Sequence, residues 1–327
     1  MVGKKQHYVP QFLLRNYAFG KKTKRLHVFD KKTGRIYVSS VRDAGHENNY
    51  YNDETSLIEN DTEIKLSELE VQAAPIIKRI IENATVKHLG ETDHKVLCLF
   101  TAVQMLRTND TRDLLNDTNE IIASAIGEWS CDPNTEVENF KRMSKEEIKQ
   151  SSIGILNNLP VKMVEHFLDK ELSLMQAADQ QNFYMSDNPV VMHNHIPREG
   201  RGNLGIGLKG IEIYFPISPK FCLSFFCKES MDEIKRRVRA YQIDRALGLA
   251  KHIDISEAQG MVDQMEMKRT RKLMPINMDF YNSLQVIQSS RYVYSNKAGF
   301  LLAKEMLRTH PEISTQPKVV DGSLEFE

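Results

Sequence analysis

Helical and extended patterns occupy separate blocks of this 327-residue chain. Strand-like apolar runs are grouped at 25–39 and 172–226, and stretches with helical spacing lie before and after the second group. Because a doubly wound sheet needs strands and helices in alternation, this grouping predicts an α+β fold that is mainly helical, with antiparallel β-hairpins forming a small sheet. The predicted helices are 62–82, 92–108, 111–129, 144–157, 232–251, 255–271, 277–288 and 298–308.

The extended runs predict three hairpins. The first is the clearest, because apolar and polar residues alternate on both sides of a turn that contains Gly34. The polar segment 43–61 predicts a loop with a short strand at Tyr50-Tyr51. The predicted strand pairs are 25–30 with 35–39, 172–177 with 182–186, and 211–219 with 221–226.

The chain is expected to form a single α+β domain over residues 1–310. A linker-like polar stretch at 130–145 interrupts the helical block, and a glycine-rich loop at 193–210 is expected to be mobile. Residues 311–327 contain proline and serine and end in acidic residues, which predicts a flexible C-terminal tail.

Composition is that of an ordinary globular protein, with 41% hydrophobic and 27% charged residues. Lys+Arg and Asp+Glu are both 44, so global charge does not steer the protein to nucleic acid, although a local basic patch stays possible. No signal-peptide pattern and no long apolar stretch occur, which predicts a cytoplasmic protein without a membrane partner. The scattered cysteines are expected to be free thiols, mostly buried: Cys98, Cys131, Cys222 and Cys227.

An apolar run at 182–186 ends abruptly at Ser186-Asp187-Asn188-Pro189. Polar side chains at the end of a buried strand are where many folds place a functional group, because the strand fixes the backbone. The alternative is an ordinary turn, since Asp and Asn before proline readily form Asx-turns.

Two of the predicted helices carry polar residues close to their apolar faces. Glu70 falls among apolar residues at helical spacing, so its carboxylate needs a partner, because an unpaired buried charge is costly. Gln104 and Arg107 are one helical turn apart, so their side chains can contact the same group. An Arg107–Glu70 ion pair with a purely structural role is an equally open interpretation.

Several familiar motifs are absent from the sequence. There is no P-loop, no GxGxxG between a strand and a helix, no zinc-ligand spacing and no GxSxG elbow, which disfavours ATP binding, Rossmann cofactors and serine-hydrolase chemistry. Basic clusters at 235–237 and 268–272 are typical of a solvated helix face, and a phosphate-facing patch is the alternative.

Stretches spread over nearly the whole chain resemble, in order, the family called domain of unknown function 4238. The opening stretch from His7 to Tyr17 and the Ser186–Pro189 turn are the most specific of them. The resemblance implies one architecture for all of these segments, and it carries no settled activity. The other stretches are Glu70 with Ala74-Pro75, 104–108, 215–219, and Asn282 with 291–295.

The first functional hypothesis is a metal-dependent phosphodiester hydrolase acting on nucleic acid, nuclease-like and belonging to phage defence. Carboxylates can hold a metal that activates water, a histidine can move a proton, and an arginine can stabilise phosphate charge. Asp187 and Glu70 would hold Mg²⁺ or Mn²⁺. The catalytic set would be His7, Glu70, Gln104, Arg107, Asp187 and Asn188. Substrate would be bound by Arg15, Ser186, Asn282, Lys235, Arg236 and Arg237.

The second hypothesis is a non-catalytic ligand- or partner-binding or sensor protein, in which the same residues form a structural buried polar cluster. An RNA-modifying transferase is a third and weaker alternative, because the sequence has no recognisable cofactor loop.

Overall fold

A computed structural model of the protein describes residues 4–52, 61–129, 142–197 and 203–315. The helices are α1 Gln11–Asn16, α2 Asp61–Asn83, α3 Glu91–Leu106, α4 Asn109–Trp129, α5 Lys145–Leu168, α6 Lys228–Ala246, α7 Ser256–Glu266, α8 Pro275–Gln288 and α9 Leu301–Thr309. The strands are β1 Lys5–His7, β2 Arg25–Asp30, β3 Arg35–Ser40, β4 His46–Asn48, β5 Lys170–Gln176, β6 Met185–Ser186, β7 Val191–Asn194, β8 Ile211–Pro216, β9 Phe221–Cys227, β10 Arg271–Lys272 and β11 Tyr292–Ser295.

The α+β class is confirmed, but the sheets are larger than the small hairpin sheet expected. One sheet has five strands in the order β10-β5-β9-β8-β7 and is mixed, because β10 runs parallel to β5. A second, antiparallel sheet has the order β3-β2-β11-β6, and β1 pairs with β4. Long-range pairings therefore join strands that local patterns cannot assign to each other.

Two of the three predicted hairpins are present, namely β2–β3 and β8–β9. The hairpin expected between 172–177 and 182–186 is wrong. Strand β5 pairs instead with β9 and β10, and β6 pairs with β11. Each run contains a strand, but a run that is buried on both faces shows no alternation that would identify its neighbour.

The five-stranded sheet is buried on both faces. Alternate residues of β9 belong to different core clusters, with Leu223 and Phe225 in one and Cys222 and Phe226 in the other. Side chains of consecutive strand residues point to opposite faces, so this division indicates a core on each side of the sheet. It explains why the sequence of β9 is apolar almost throughout.

Helices α3 and α5 cover one face of this sheet. Phe100 of α3 contacts Phe215 of β8, with ring centroids 6.0 Å apart, and Phe167 of α5 lies 5.1 Å from Phe225 by the same measure. Helix α5 begins with a capping box. The Ser144 side chain accepts from the backbone N–H of Glu147, and the Glu147 side chain accepts from the backbone N–H of Ser144. It runs past its predicted end at 157 to Leu168, and Phe167 in its last turn is buried in the core.

Several boundaries differ from those expected. Tyr50 and Tyr51 lie in a turn rather than a strand, and α7 ends at Glu266, after which Arg271–Lys272 joins the sheet as β10. Part of the loop expected at 193–210 belongs to β7, and residues 198–202 lie outside the described residues. Most of the predicted linker, at 130–141, also lies outside them.

The described chain stays packed beyond residue 310. A short 3-10 helix at Pro311–Ser314 buries Ile313 against the cluster that contains Phe300. Residues 316–327, the rest of the predicted tail, lie outside the described part of the chain. The single-domain organisation stays a prediction.

The described cysteines are free thiols. Cys98 and Cys222 are buried and Cys227 is half-buried, while Cys131 lies outside the described residues. No helix in the described part of the chain is long and apolar enough to cross a membrane.

Candidate functional site

A pocket of about 460 Å³ lies beside the N-terminal segment, between β1, α1, α2 and the end of α3. Pro10 precedes α1 with φ −55°, and the buried Leu13 and Leu14 anchor the helix in the core. Gln11 and Arg15, one helical turn apart, therefore both face the pocket. The lining residues are Lys5, His7, Gln11, Phe12, Arg15, Tyr51, Glu63, Leu66, Ser67, Glu70, Val71, Ala74 and Arg107.

Arg107 forms the floor of this pocket and is only 3% exposed. Its Nη1 donates to Glu70 Oε1 (2.7 Å), its Nη2 to the carbonyl of His7 (2.6 Å) and its Nε to the Tyr51 hydroxyl (3.1 Å). Burial opposes the charge, but Tyr51 and Glu70 outweigh it and raise the pKa of Arg107. The Arg107–Glu70 ion pair considered from the sequence is thus present, and it ties α2 to both α3 and β1.

His7 lies opposite His46 in the β1–β4 pair, with ring centroids 5.4 Å apart. Burial, together with the nearby His46 and Arg107, lowers the pKa of His7 to about 4 from its ordinary value of 6.5. The imidazole is therefore neutral at pH 7. Its Nε2 is buried and makes no hydrogen bond to any described residue.

Most charges around the pocket are already matched. Lys5 pairs with Asp43. Glu63 accepts hydrogen bonds from Lys4 Nζ at 2.8 Å and from the side-chain amide of Gln6. Arg15 differs, because Gln11 Oε1 is its acceptor, 3.1 Å from Nη2. Of the lysine and arginine side chains among the described residues that line the pocket, Arg15 is the one without a carboxylate partner.

Gln104 does not line the pocket. It is fully buried, and its Nε2 donates to the carbonyl of Tyr8 at 3.0 Å. Its role in this structure is to hold the segment between β1 and α1 against α3.

Asp187 lies elsewhere and supports the start of β11. Its Oδ1 accepts from the backbone N–H of Ser290 (2.9 Å), and its Oδ2 accepts from those of Arg291 and Tyr292 (2.8 Å each). Asp187 is absent from the pocket lining, so the structure does not unite it with Glu70 as the metal pair expected from the sequence. Within the described ranges, no group of three or more His, Cys, Asp or Glu side chains is arranged to hold a metal ion.

The remaining polar residues near Asp187 form hydrogen bonds between the 184–188 segment and α8. Gln285 Oε1 accepts from both the backbone N–H (2.8 Å) and the hydroxyl (2.9 Å) of Ser186. Asn282 Oδ1 accepts from the backbone N–H of Tyr184 at 2.8 Å, and Asn188 Nδ2 donates to the Gln288 carbonyl at 3.2 Å. Ser186, Asn188 and Asn282, expected at the site, therefore belong to an interior hydrogen-bond network.

The basic cluster of α6 is also separate from the pocket. Lys235 and Arg237 pair within the helix with Asp232 and Glu233, and Arg236 donates to the carbonyl of Asp232 at 3.3 Å. None of the three lines the pocket. These contacts are typical of a solvated helix face.

A larger cavity, about 580 Å³, is lined mainly by the 176–182 segment, the 218–221 turn and Glu82. It contains none of the site residues expected from the sequence. We take the smaller pocket as the candidate site because the buried Arg107 meets the half-buried Glu70 and His7 there, and the pKa values of Arg107 and His7 are both shifted.

Sequence reasoning missed some pocket residues. Gln11 is one helical turn before Arg15, which could have identified it. The sequence predicts a strand at Tyr51, and nothing in the local sequence connects Tyr51, Lys5 or Glu63 with Arg107.

Comparison with known proteins gives a family and no activity. No curated protein and no solved structure matches the chain. The model of a family described as "Protein of unknown function (DUF4238)" matches residues 5–299, which is most of the sequence. The chain therefore belongs to the DUF4238 family.

Proposed function

We propose that the protein binds a small ligand in the pocket beside its N-terminal segment. The observation that carries this proposal is the convergence of His7, Gln11 and Arg15 with Glu70 and Arg107 around one pocket of about 460 Å³. Pockets that bind small molecules have volumes of roughly 300–1,000 Å³ and few, well-placed polar groups. Arg107, bonded to three partners, would keep the shape of the floor.

Binding accounts for the polar residues better than hydrolysis does. The Asp187 carboxylate is occupied by three backbone N–H groups, and Gln104 and Asn188 also bond to backbone carbonyls. Glu70, a carboxylate of the pocket, bonds to Arg107. These contacts support the interpretation of a structural polar cluster around a binding site.

Thermal-shift measurements with a metabolite library test this proposal, alongside native mass spectrometry of the freshly purified protein. Ligands of the pocket should raise the melting temperature of wild type and of Arg35→Gln, an exposed matched control on β3. Arg15→Gln should reduce the shift that phosphate-bearing ligands produce while keeping the wild-type melting temperature without ligand. A full library without any shift, together with no co-purifying molecule, contradicts the proposal.

A nuclease-like phosphodiester hydrolase is the second candidate. The observation that favours it is that His7, which its lowered pKa keeps neutral, lines the same pocket as Arg15. A neutral imidazole can take a proton from water, and an arginine can stabilise the developing phosphate charge.

Incubation with DNA and with RNA, in EDTA, Mg²⁺ or Mn²⁺, tests the second candidate. Cleavage that disappears in His7→Gln but persists in Asp187→Asn, provided both variants are folded at the assay temperature, is the expected result. Cleavage unaffected by His7→Gln, or the absence of cleavage in all conditions, contradicts it.

A further inference from the structure

The mouth of the pocket presents an exposed guanidinium. Arg15 is an exposed residue on α1, and its Nη2 is held by Gln11 Oε1 at 3.1 Å. The carboxylates that line the pocket, Glu63 and Glu70, bond instead to Lys4 and Arg107. The planar fork of an arginine suits the oxygens of a phosphate group, and a charged group is best kept at the hydrated rim.

The wall between mouth and floor is apolar. Leu66 of α2 is buried, Val71 of the same helix is 75% exposed, and both line the pocket together with Ala74 of α2 and Phe12 of α1. The Phe12 ring packs on Phe100, with ring centroids 5.5 Å apart, which fixes its position. A flat, apolar body could pack against these side chains.

The floor combines acceptors and donors. Glu70 Oε1 accepts a hydrogen bond from Arg107, and Glu70 Oε2 has no hydrogen bond to a described residue. His7 also lines the pocket, and its Nε2, unbonded within the described part of the chain, is buried. Arg107 donates from three of its five N–H groups to described partners. A ring edge that carries both an amino group and an acceptor nitrogen complements such a surface.

From this order of cation, apolar wall and polar floor, we propose that the pocket takes a nucleotide, with its phosphate at Arg15 and its base directed towards Glu70 and His7. The inference rests on the proposed binding function and names its ligand class. Such a nucleotide unit can be either a free mononucleotide or the 5′-phosphorylated end of a nucleic-acid strand. The cavity of about 460 Å³ accommodates one nucleotide unit.

Isothermal titration calorimetry can separate the parts of the ligand. The probes are the four 5′-mononucleotides, their nucleosides, ribose 5-phosphate, and inorganic phosphate. At least one mononucleotide should bind, and its nucleoside and ribose 5-phosphate should each bind about tenfold more weakly, as expected when one charge-assisted contact or one buried body is lost. Equal affinity for nucleotide and nucleoside overturns the inference.

Variants test the predicted orientation. Arg15→Gln should weaken mononucleotide binding about tenfold and leave nucleoside binding unchanged, because only the phosphate contact is removed. Arg35→Gln should match wild type for both. Ala74→Leu, which fills the apolar wall, should weaken nucleotide and nucleoside alike while the protein keeps its cooperative unfolding. Nucleotide binding that is the same in Arg15→Gln as in wild type overturns the inference.

A short oligonucleotide with and without a 5′-phosphate distinguishes the sources. Binding that needs the 5′-phosphate supports a strand end, and binding of mononucleotides alone supports a free nucleotide. If another class of molecule stabilises wild type but not Arg15→Gln, and no nucleotide binds, the binding function stands and the nucleotide inference fails. If nothing binds, both fail.

Discussion

Arg107 Nη1 lies 2.7 Å from Glu70 Oε1, and this contact joins residues 37 positions apart in the sequence. Arg107 is almost fully buried, whereas the Glu70 side chain keeps 26% exposure through the pocket. Because Arg107 also donates to the His7 carbonyl, one guanidinium connects α2, α3 and β1. The pocket and the packing of the N-terminal segment therefore depend on the same ion pair.

Breaking this pair should destabilise the fold. Glu70→Gln should lower the free energy of unfolding by about 3 kcal/mol, because it leaves the buried Arg107 charge without its carboxylate. Urea denaturation provides the measurement, and Glu68→Gln, on the exposed side of the same helix, is the control. An unchanged or raised stability would show that the pair is strained for function rather than built for structure.

Asp187 should likewise prove to be a structural residue. Asp187→Asn removes the charge that accepts three backbone N–H groups, so we expect a loss of about 2–3 kcal/mol in the free energy of unfolding. Faster amide exchange at residues 290–292 should accompany that loss. Asp244→Asn, at an exposed position of α6, serves as the matched control. A variant that keeps full stability but loses binding or cleavage would instead assign Asp187 to the functional site.

Stability should depend on pH through His7. Its pKa in the folded protein is about 4 against an ordinary 6.5, so between these values the unfolded chain binds the additional proton. The stability that the neutral His7 contributes is therefore fully present above pH 6.5 and is lost as pH falls towards 4. The free energy of unfolding changes by at most about 1.4 kcal/mol per pH unit in this range. Urea unfolding of wild type and His7→Gln at pH 4.5, 5.5, 6.5 and 7.5 should show a weaker pH dependence in the variant.

His46 needs a separate control in that experiment, because burial lowers its pKa as well. His46→Gln should remove a further part of the pH dependence. If wild type and both single variants lose stability equally on acidification, the histidine pair is not its source.

Gln285 should be a stability residue that no local pattern would identify. Its amide accepts from the Ser186 backbone N–H and donates to the Pro189 carbonyl at 2.9 Å. Gln285→Ala should cost about 2–4 kcal/mol, since two buried backbone groups lose their partners. Thermal unfolding beside Gln242→Ala, an exposed glutamine on α6, provides the comparison. Equal melting temperatures for the two variants would contradict this role.

The sequence by itself determined the local elements of the protein. Periodicity located the helices, the turn at Gly34 specified the β2–β3 hairpin, and the position of Glu70 among apolar residues called for a partner such as Arg107. Each of these depends on residues within one element or on the cost of burying one charge. That is why they could be inferred without knowing how the elements pack.

Only the tertiary structure decided which polar residues share a site. Asp187 and Ser290 are 103 residues apart, and Ser186 and Gln285 are 99 apart, so nothing local indicates that their hydrogen bonds exist. The same holds for β5, whose neighbours are the apolar β9 and the short basic strand β10, Arg271–Lys272. A hydrogen bond needs its two atoms within about 3 Å, and that distance is fixed by the packing of sheets and helices rather than by either stretch of sequence.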